Sequence, residues 1–187
     1  TSYGTGSYYY YIIKNLNTII ELNSNEETMN EVSVLGFGDN ANQIAVAKTL
    51  RAFFFAKLTD ILGPIPYSEA FKGESEGIWS PKFDSQEYIY ESLNKDLEEA
   101  YTQFDESSSL SAAEILYNGD ISKWKKFNAS LRMVMAIKLA DVDPANGKAR
   151  FAKAYADGGM EEVTDGFHYT FDNTNSDRYA PMYQVGN

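Results

Sequence analysis

Apolar positions recur at helical spacing in five stretches of the chain. From about Tyr8 to Asn23, Ile12, Leu16, Ile19 and Ile20 fall on one stripe, which predicts an amphipathic helix. The polar run "NSNEETMN" and the turn-rich "SVLGFGDNANQ" follow it. A second helix is predicted from about Asn42 to Leu62. Its start is rich in alanine, and Ala45, Leu50, Phe53, Phe54, Leu58, Ile61 and Leu62 cover more than a narrow face. The three consecutive residues Phe53, Phe54 and Phe55 sweep roughly 200° of a helix surface, so they cannot all face one core. A helix apolar on most sides is buried on most sides, which makes this an inner helix with Phe53 and Phe54 deeply buried. "GPIP" then ends it: Gly63 suits a left-handed C-cap, Pro64 cannot continue the helix, and Ile65 before Pro66 is pushed to an extended conformation.

A long connection runs from Tyr67 to Phe83. The third helix is expected to start at Asp84, in a capping box with Glu87, and carries Ile89, Leu93, Leu97, Ala100 and Phe104. Glu91 and Lys95 are spaced for an i,i+4 ion pair. Asn118-Gly119 marks a turn, and Asp120 caps a fourth helix through Trp124, Phe127, Leu131, Met135 and Leu139. Asp143-Pro144 reads as an N-cap followed by proline at the first helical position of a fifth helix, which ends near Gly158. The short link predicts that the last two helices form an antiparallel hairpin. The tail, "DGFHYTFDNTNSDRYAPMYQVGN", is polar, aromatic and aperiodic. Its rings at Phe167, Tyr169, Phe171, Tyr179 and Tyr183 have no local partners by pattern, and are expected to pack on a further part of the protein. No exact internal repeat is present, although two helix pairs could be degenerate repeat units of the tetratricopeptide kind.

Composition narrows the functions. The 187 residues carry a net charge of −11, which argues against nucleic acid and against direct adhesion to anionic lipid. There is no cysteine, so disulfides and thiolate metal sites are excluded. No apolar run approaches the roughly 20 residues of a membrane span. The opening "TSYGTGSYYYY" has no signal-peptide pattern, and any targeting segment is expected to have been removed.

Catalytic chemistry finds little support. His168 is the single histidine and has no convergent partners in sequence. The adjacent pairs Glu98-Glu99 and Glu161-Glu162 splay apart on a helix and make no acid/base couple. "DNTNSD" from Asp172 lacks the glycine and glutamate of an EF-hand loop, and "GFGDN" from Gly36 lacks the lysine of a phosphate loop. Rings in loops are more informative. The chain has 14 tyrosines, and Phe37, Tyr67 and Trp79 lie in loops near amides and carboxylates. Flat rings offer stacking faces to sugars, and polar neighbours bond hydroxyls. Trp79, Tyr67, Phe37 and Asn40 are therefore the candidate glycan-binding residues. The alternative for each ring is an anchor that folds back to hold its own loop.

Three segments, in this order and spacing, resemble one family. They are "LRAFFFAKLTDILGPIPYSEA" from Leu50, "PKFDSQEYIYESLNKDLEEA" from Pro81 and "LYNGDISKWKKFNASLRMVMAIKLADVDP" from Leu116. They are similar to the SusD/RagB family of outer-membrane nutrient-binding lipoproteins of Bacteroidetes. There an arginine-alanine-aromatic helix ends in a Gly-Asp-Val-Pro-Tyr-like turn, and two helix entries read P-x-[YF]-D-[ST]-Q-E-x-I-Y and G-D-x-x-K-W-x-K-F. The resemblance covers about Ala41 to Gly159. Pro64 departs from the usual aspartate, and Val134 from a common second arginine. Family members are also much longer, and the lipidated cysteine is absent here.

The resemblance implies an all-α fold of tetratricopeptide-like helical pairs with long loops, residues 1–187 forming the N-terminal part of a single such domain. It implies glycan binding without catalysis or cofactor, at the outer-membrane cell surface, through a lipid anchor upstream of this chain. It implies delivery of an oligosaccharide to a SusC-like TonB-dependent transporter. A helical-repeat adaptor that binds peptides or proteins in a groove is the alternative. A glycoside hydrolase would need a carboxylate pair that the sequence does not set up.

Overall fold

A computed structural model describes residues 2–167, with side chains from Gly6 onward. His168, "DNTNSD" and the tail rings beyond Phe167 lie outside the described residues. Five long helices carry the fold: α1 (Ser2–Ser24), α3 (Asn40–Leu62), α5 (Gln86–Gln103), α6 (Ile121–Leu139) and α7 (Pro144–Ala156). Two single-turn helices, α2 (Val32–Leu35) and α4 (Gly73–Glu76), sit within connections. The strands β1 (Ile65–Pro66) and β2 (Phe83–Asp84) pair antiparallel, Ile65 opposite Asp84 and Pro66 opposite Phe83. The chain is thus all-α, as expected, with a minimal two-stranded clip.

Local chemistry sets the helix starts. Asp39 accepts from the Asn42 amide, Asp120 from Lys123, and Asp143 from Asn146 with Pro144 behind it. The start of α5 differs from expectation. Ser85 is its N-cap and accepts from the Tyr88 amide, because Asp84 is drawn into β2. Gly63 has φ +74° but ψ −129°, outside the left-handed helical well, and its N–H closes on the Thr59 carbonyl.

Helix α3 is the inner element, packed against α1, α5 and α6. The three phenylalanines divide between these neighbours. Phe55, not Phe53 or Phe54, is the deeply buried ring, 3% exposed, in a core with Ile13, Leu58, Ile89, Leu93 and Leu131. Phe54 turns toward α1, edge-on to Tyr9 at 5.9 Å. Phe53 turns toward α6, 6.1 Å from Phe127, with the Lys57 ammonium 5.6 Å from its centroid. At 100° per residue only one of three neighbours can point at the centre; the other two fall at the margins and stay half-buried. A second core gathers Ala45, Ala100, Phe104, Ile121 and Trp124.

Buried amides bind the layers. Asn42 donates to the Asp105 carbonyl and the Ser108 hydroxyl, and its own carbonyl accepts the Asp105 N–H at 2.8 Å. Asn128 donates to Thr49 on α3 and to the Leu97 carbonyl on α5. Arg132, 2% exposed, pairs with Asp157 at 2.5 Å and with Glu98. Helices α6 and α7 form the expected hairpin. Their close approach needs Gly147, where a Cβ would stand 2.7 Å from the Ala140 Cα. Glu91 reaches Arg150 of α7 rather than Lys95, because a tertiary partner lies within reach of its carboxylate.

Candidate functional site

The long connection after α3 is a closed loop, and the sequence explains how it closes. Pro66 and the residue before it are extended by proline's own sterics, which prepares β1 to pair with β2. Asp84, 8% exposed, then accepts from the Ser68 N–H at 2.6 Å, the Ser68 hydroxyl at 3.0 Å and the Tyr67 N–H at 3.3 Å. Burial pushes its carboxyl up, but the Ser68 and Tyr67 hydrogen bonds and nearby Lys82 outweigh it and hold the pKa below the usual value. Glu69 accepts the Lys82 N–H at 2.9 Å, tying the two loop strands again. The Tyr10 hydroxyl of α1 donates to the Pro66 carbonyl at 2.6 Å. Burial, with help from Asp84, pushes that phenol up to about 12.

The four candidate residues separate into two tasks. Tyr67 turns inward, edge-on to Phe55 at 4.7 Å, and burial raises its phenol, helped by Asp96 and opposed by Arg51. It anchors the loop. Trp79 does the opposite: it is 78% exposed at the loop's outer part. Its six-membered ring lies on Gly73, where a Cβ would approach within 2.9 Å of the indole. The glycine backs one part of the indole while most of the ring stays open to solvent. Phe71, close by, has φ +66°, a strained value for a non-glycine residue, and its ring meets Tyr10 at 5.8 Å.

Phe37 and Asn40 sit together at the other end of α3, whose 23 residues span about 34 Å. Phe37 is 57% exposed, and its carbonyl accepts the Ser111 N–H. The Asn40 amide donates to the Met29 carbonyl at 2.9 Å and the Asn23 carbonyl at 3.4 Å, so its N–H groups pin the preceding loop. The structure therefore brings Tyr67 and Trp79 into one loop and Phe37 and Asn40 into another. It does not join the four.

Pattern reading missed an open cleft of about 550 Å³ beside the base of the Trp79 loop. Its walls come from Asp60 at the end of α3, Tyr90 and Glu91 on α5, Lys138 on α6, and Asp143 and Pro144 at the start of α7. Asp60 accepts from the Tyr90 hydroxyl at 2.5 Å and pairs with Lys138. Burial first, then the Asp60 hydrogen bond and charge, raise the Tyr90 phenol. The one sequence signal was a lone carboxylate, Asp60, near the end of an otherwise apolar helix. Among the described residues no group of three or more histidine or carboxylate side chains is gathered to hold a metal ion. No described helix is long and apolar enough to cross a membrane.

Comparison with known proteins adds a frame to this geometry. A SusD-like family described as starch-binding and associating with the outer membrane matches residues 2–185. Among solved structures, a chitin-binding protein is 36% identical with TM-score 0.67, over 83% of this chain and 31% of its own. A Bacteroidetes SusD-like protein, AC2a, is 30% identical with TM-score 0.68, over 86% of this chain and 28% of its own. A SusD homologue from Bacteroides uniformis is 27% identical with TM-score 0.71, over 87% of this chain and 31% of its own. The chain thus spans about three-tenths of the length of these relatives. No curated protein matches it.

Proposed function

The chain belongs to the SusD-like family, and on that footing we propose that it serves a glycan-binding protein of the outer membrane, with the Trp79 loop as a sugar-stacking element. The protein captures an oligosaccharide at the cell surface, held there by a lipid anchor, and passes it to a SusC-like TonB-dependent transporter. It does so by binding alone, without bond cleavage. The observation that carries this reading is the exposed indole on a loop closed at its base. A sugar ring presents an apolar C–H face bordered by hydroxyls, so it needs a flat aromatic surface held in place and a few polar neighbours. Asp84, Tyr67 and Tyr10 fix the loop before ligand arrives, which lowers the ordering cost of binding. The starch, chitin and SusD-like descriptions of the family and its relatives support the ligand class. In this reading Trp79 stacks and Tyr67 positions it. Phe37, with Asn40 as its support, forms a second, distant contact for a long chain.

The test is calorimetric titration of the full-length protein with neutral oligosaccharides, including starch and chitin fragments. Wild type binds at least one of them, and Trp79→Ala weakens it about tenfold or more, the loss expected when one stacked ring is removed. Unchanged affinity in a folded Trp79→Ala protein would remove Trp79 from the site. Tight peptide binding with no glycan binding would move the protein to the adaptor reading.

A further inference from the structure

We infer that the cleft between α3, α5 and the α6–α7 turn is a second sugar subsite, selective for a saccharide that carries a protonated amino group. The inference rests on the glycan-binding reading of the family, but not on Trp79. The first ground is shape. A cleft of about 550 Å³ lies within the range of about 300–1,000 Å³ of small-ligand sites and has room for a short oligosaccharide.

The second ground is the division of its lining. Leu139, Val142 and Pro144 supply an apolar wall, and Val142 is 85% exposed with no covering residue. Such a wall suits the C–H face of a pyranose. Opposite it stand groups already fixed in place: Asp60 holds both Tyr90 and Lys138, and Gln86 donates to the Thr59 carbonyl. These groups need little reordering to meet hydroxyls.

The third ground is charge. Asp60 is balanced by Lys138, and Glu91 by Arg150. Glu87 and Asp143, also in the lining, have no cationic partner among the described residues. Asp143 spends its carboxylate on the Asn146 amide and side chain, and Glu87 has no partner of its own. Two uncompensated carboxylates facing a sugar-sized cleft favour a ligand with positive charge and disfavour uronic acids or sulfated sugars. Among saccharides, the amino sugars with a free amine meet that requirement.

The experiment uses the full-length protein carrying Trp79→Ala, so that stacking on the loop does not contribute. The probe is the β-1,4-linked trisaccharide of glucosamine, with its N-acetylated form as the comparison. The trisaccharide with free amines binds the Trp79→Ala protein and the N-acetylated one binds more weakly. Adding Glu87→Gln and Asp143→Asn lowers the amine-bearing ligand's affinity about tenfold, as for loss of charge-assisted hydrogen bonds. Asparagine still caps a helix, so α7 is retained. Should that variant fail to fold, Val142→Arg at the exposed mouth places a cation in the cleft and abolishes the binding. No binding of the free-amine trisaccharide to Trp79→Ala protein overturns the inference, as does equal affinity for both trisaccharides. Affinity unmoved by Glu87→Gln with Asp143→Asn, or by Val142→Arg, overturns it as well. The loop site is judged separately, by neutral oligosaccharides on wild type, so either site can fail alone.

Discussion

Single residues carry loads that sequence pattern does not reveal. Asp84 reads locally as a helix cap, yet it closes the Trp79 loop from inside a β-bridge. Nothing in the local pattern at Asp84 announces donors that arrive from Tyr67 and Ser68, 17 and 16 residues away. Asp84→Ala strands those buried donors and is expected to cost about 1–3 kcal/mol in urea unfolding. The pH sign follows from its lowered pKa. The stabilisation is present above the unfolded carboxyl value, about 3.9, and is lost as pH falls through the lower folded value. The difference between wild type and Asp84→Ala should therefore be full at neutral pH and narrow under acid; a constant gap would contradict it. Among the phenylalanines, Phe55→Ala should cost about 3–5 kcal/mol, and Phe54→Ala clearly less, since only Phe55 leaves a closed cavity. Equal losses would mean that the division of the three rings is wrong.

At the scale of elements, the five long helices were legible because each repeats apolar residues over several turns. Three caps, Asp39, Asp120 and Asp143, stand where the chain enters a helix, and the last two were readable in advance. Helices α2 and α4 were not legible, since four residues cannot show a period of 3.6. The loop before α6 hides a different device. The Glu114 carboxylate accepts from the amides of Leu116, Tyr117 and Gly119 and from the Trp124 indole at 3.2 Å. That one carboxylate holds the turn at Asn118-Gly119 against the buried Trp124. Glu114→Ala should speed hydrogen exchange at those three amides well before global unfolding. Unchanged exchange there would show that packing alone holds the turn.

For the whole molecule, order and spacing of motifs carried more than any one motif. The family is legible because Arg51-Ala52-Phe53, the entry to α5 and the entry to α6 all occupy core or cap positions. The site was less legible, because exposure is decided by tertiary folding. Tyr67 and Trp79 look alike as loop aromatics, yet one fills the core edge and the other stands in solvent. The tail aromatics divide similarly: Phe167 meets Tyr117 edge-on at 6.4 Å, a local partner that pattern did not suggest. Gly73→Val should disturb glycan binding without altering Trp79 itself, because its side chain would displace the indole. The most direct measurement is acrylamide quenching of Trp79 fluorescence, taken as the difference between wild type and Trp79→Phe in the full-length protein. The other tryptophan of this chain, Trp124, is 1% exposed and contributes little to that difference. Saturating oligosaccharide should shield Trp79 from the quencher and shift its emission to shorter wavelength. Oligosaccharide that binds while leaving the Trp79 signal fully quenchable would contradict the account.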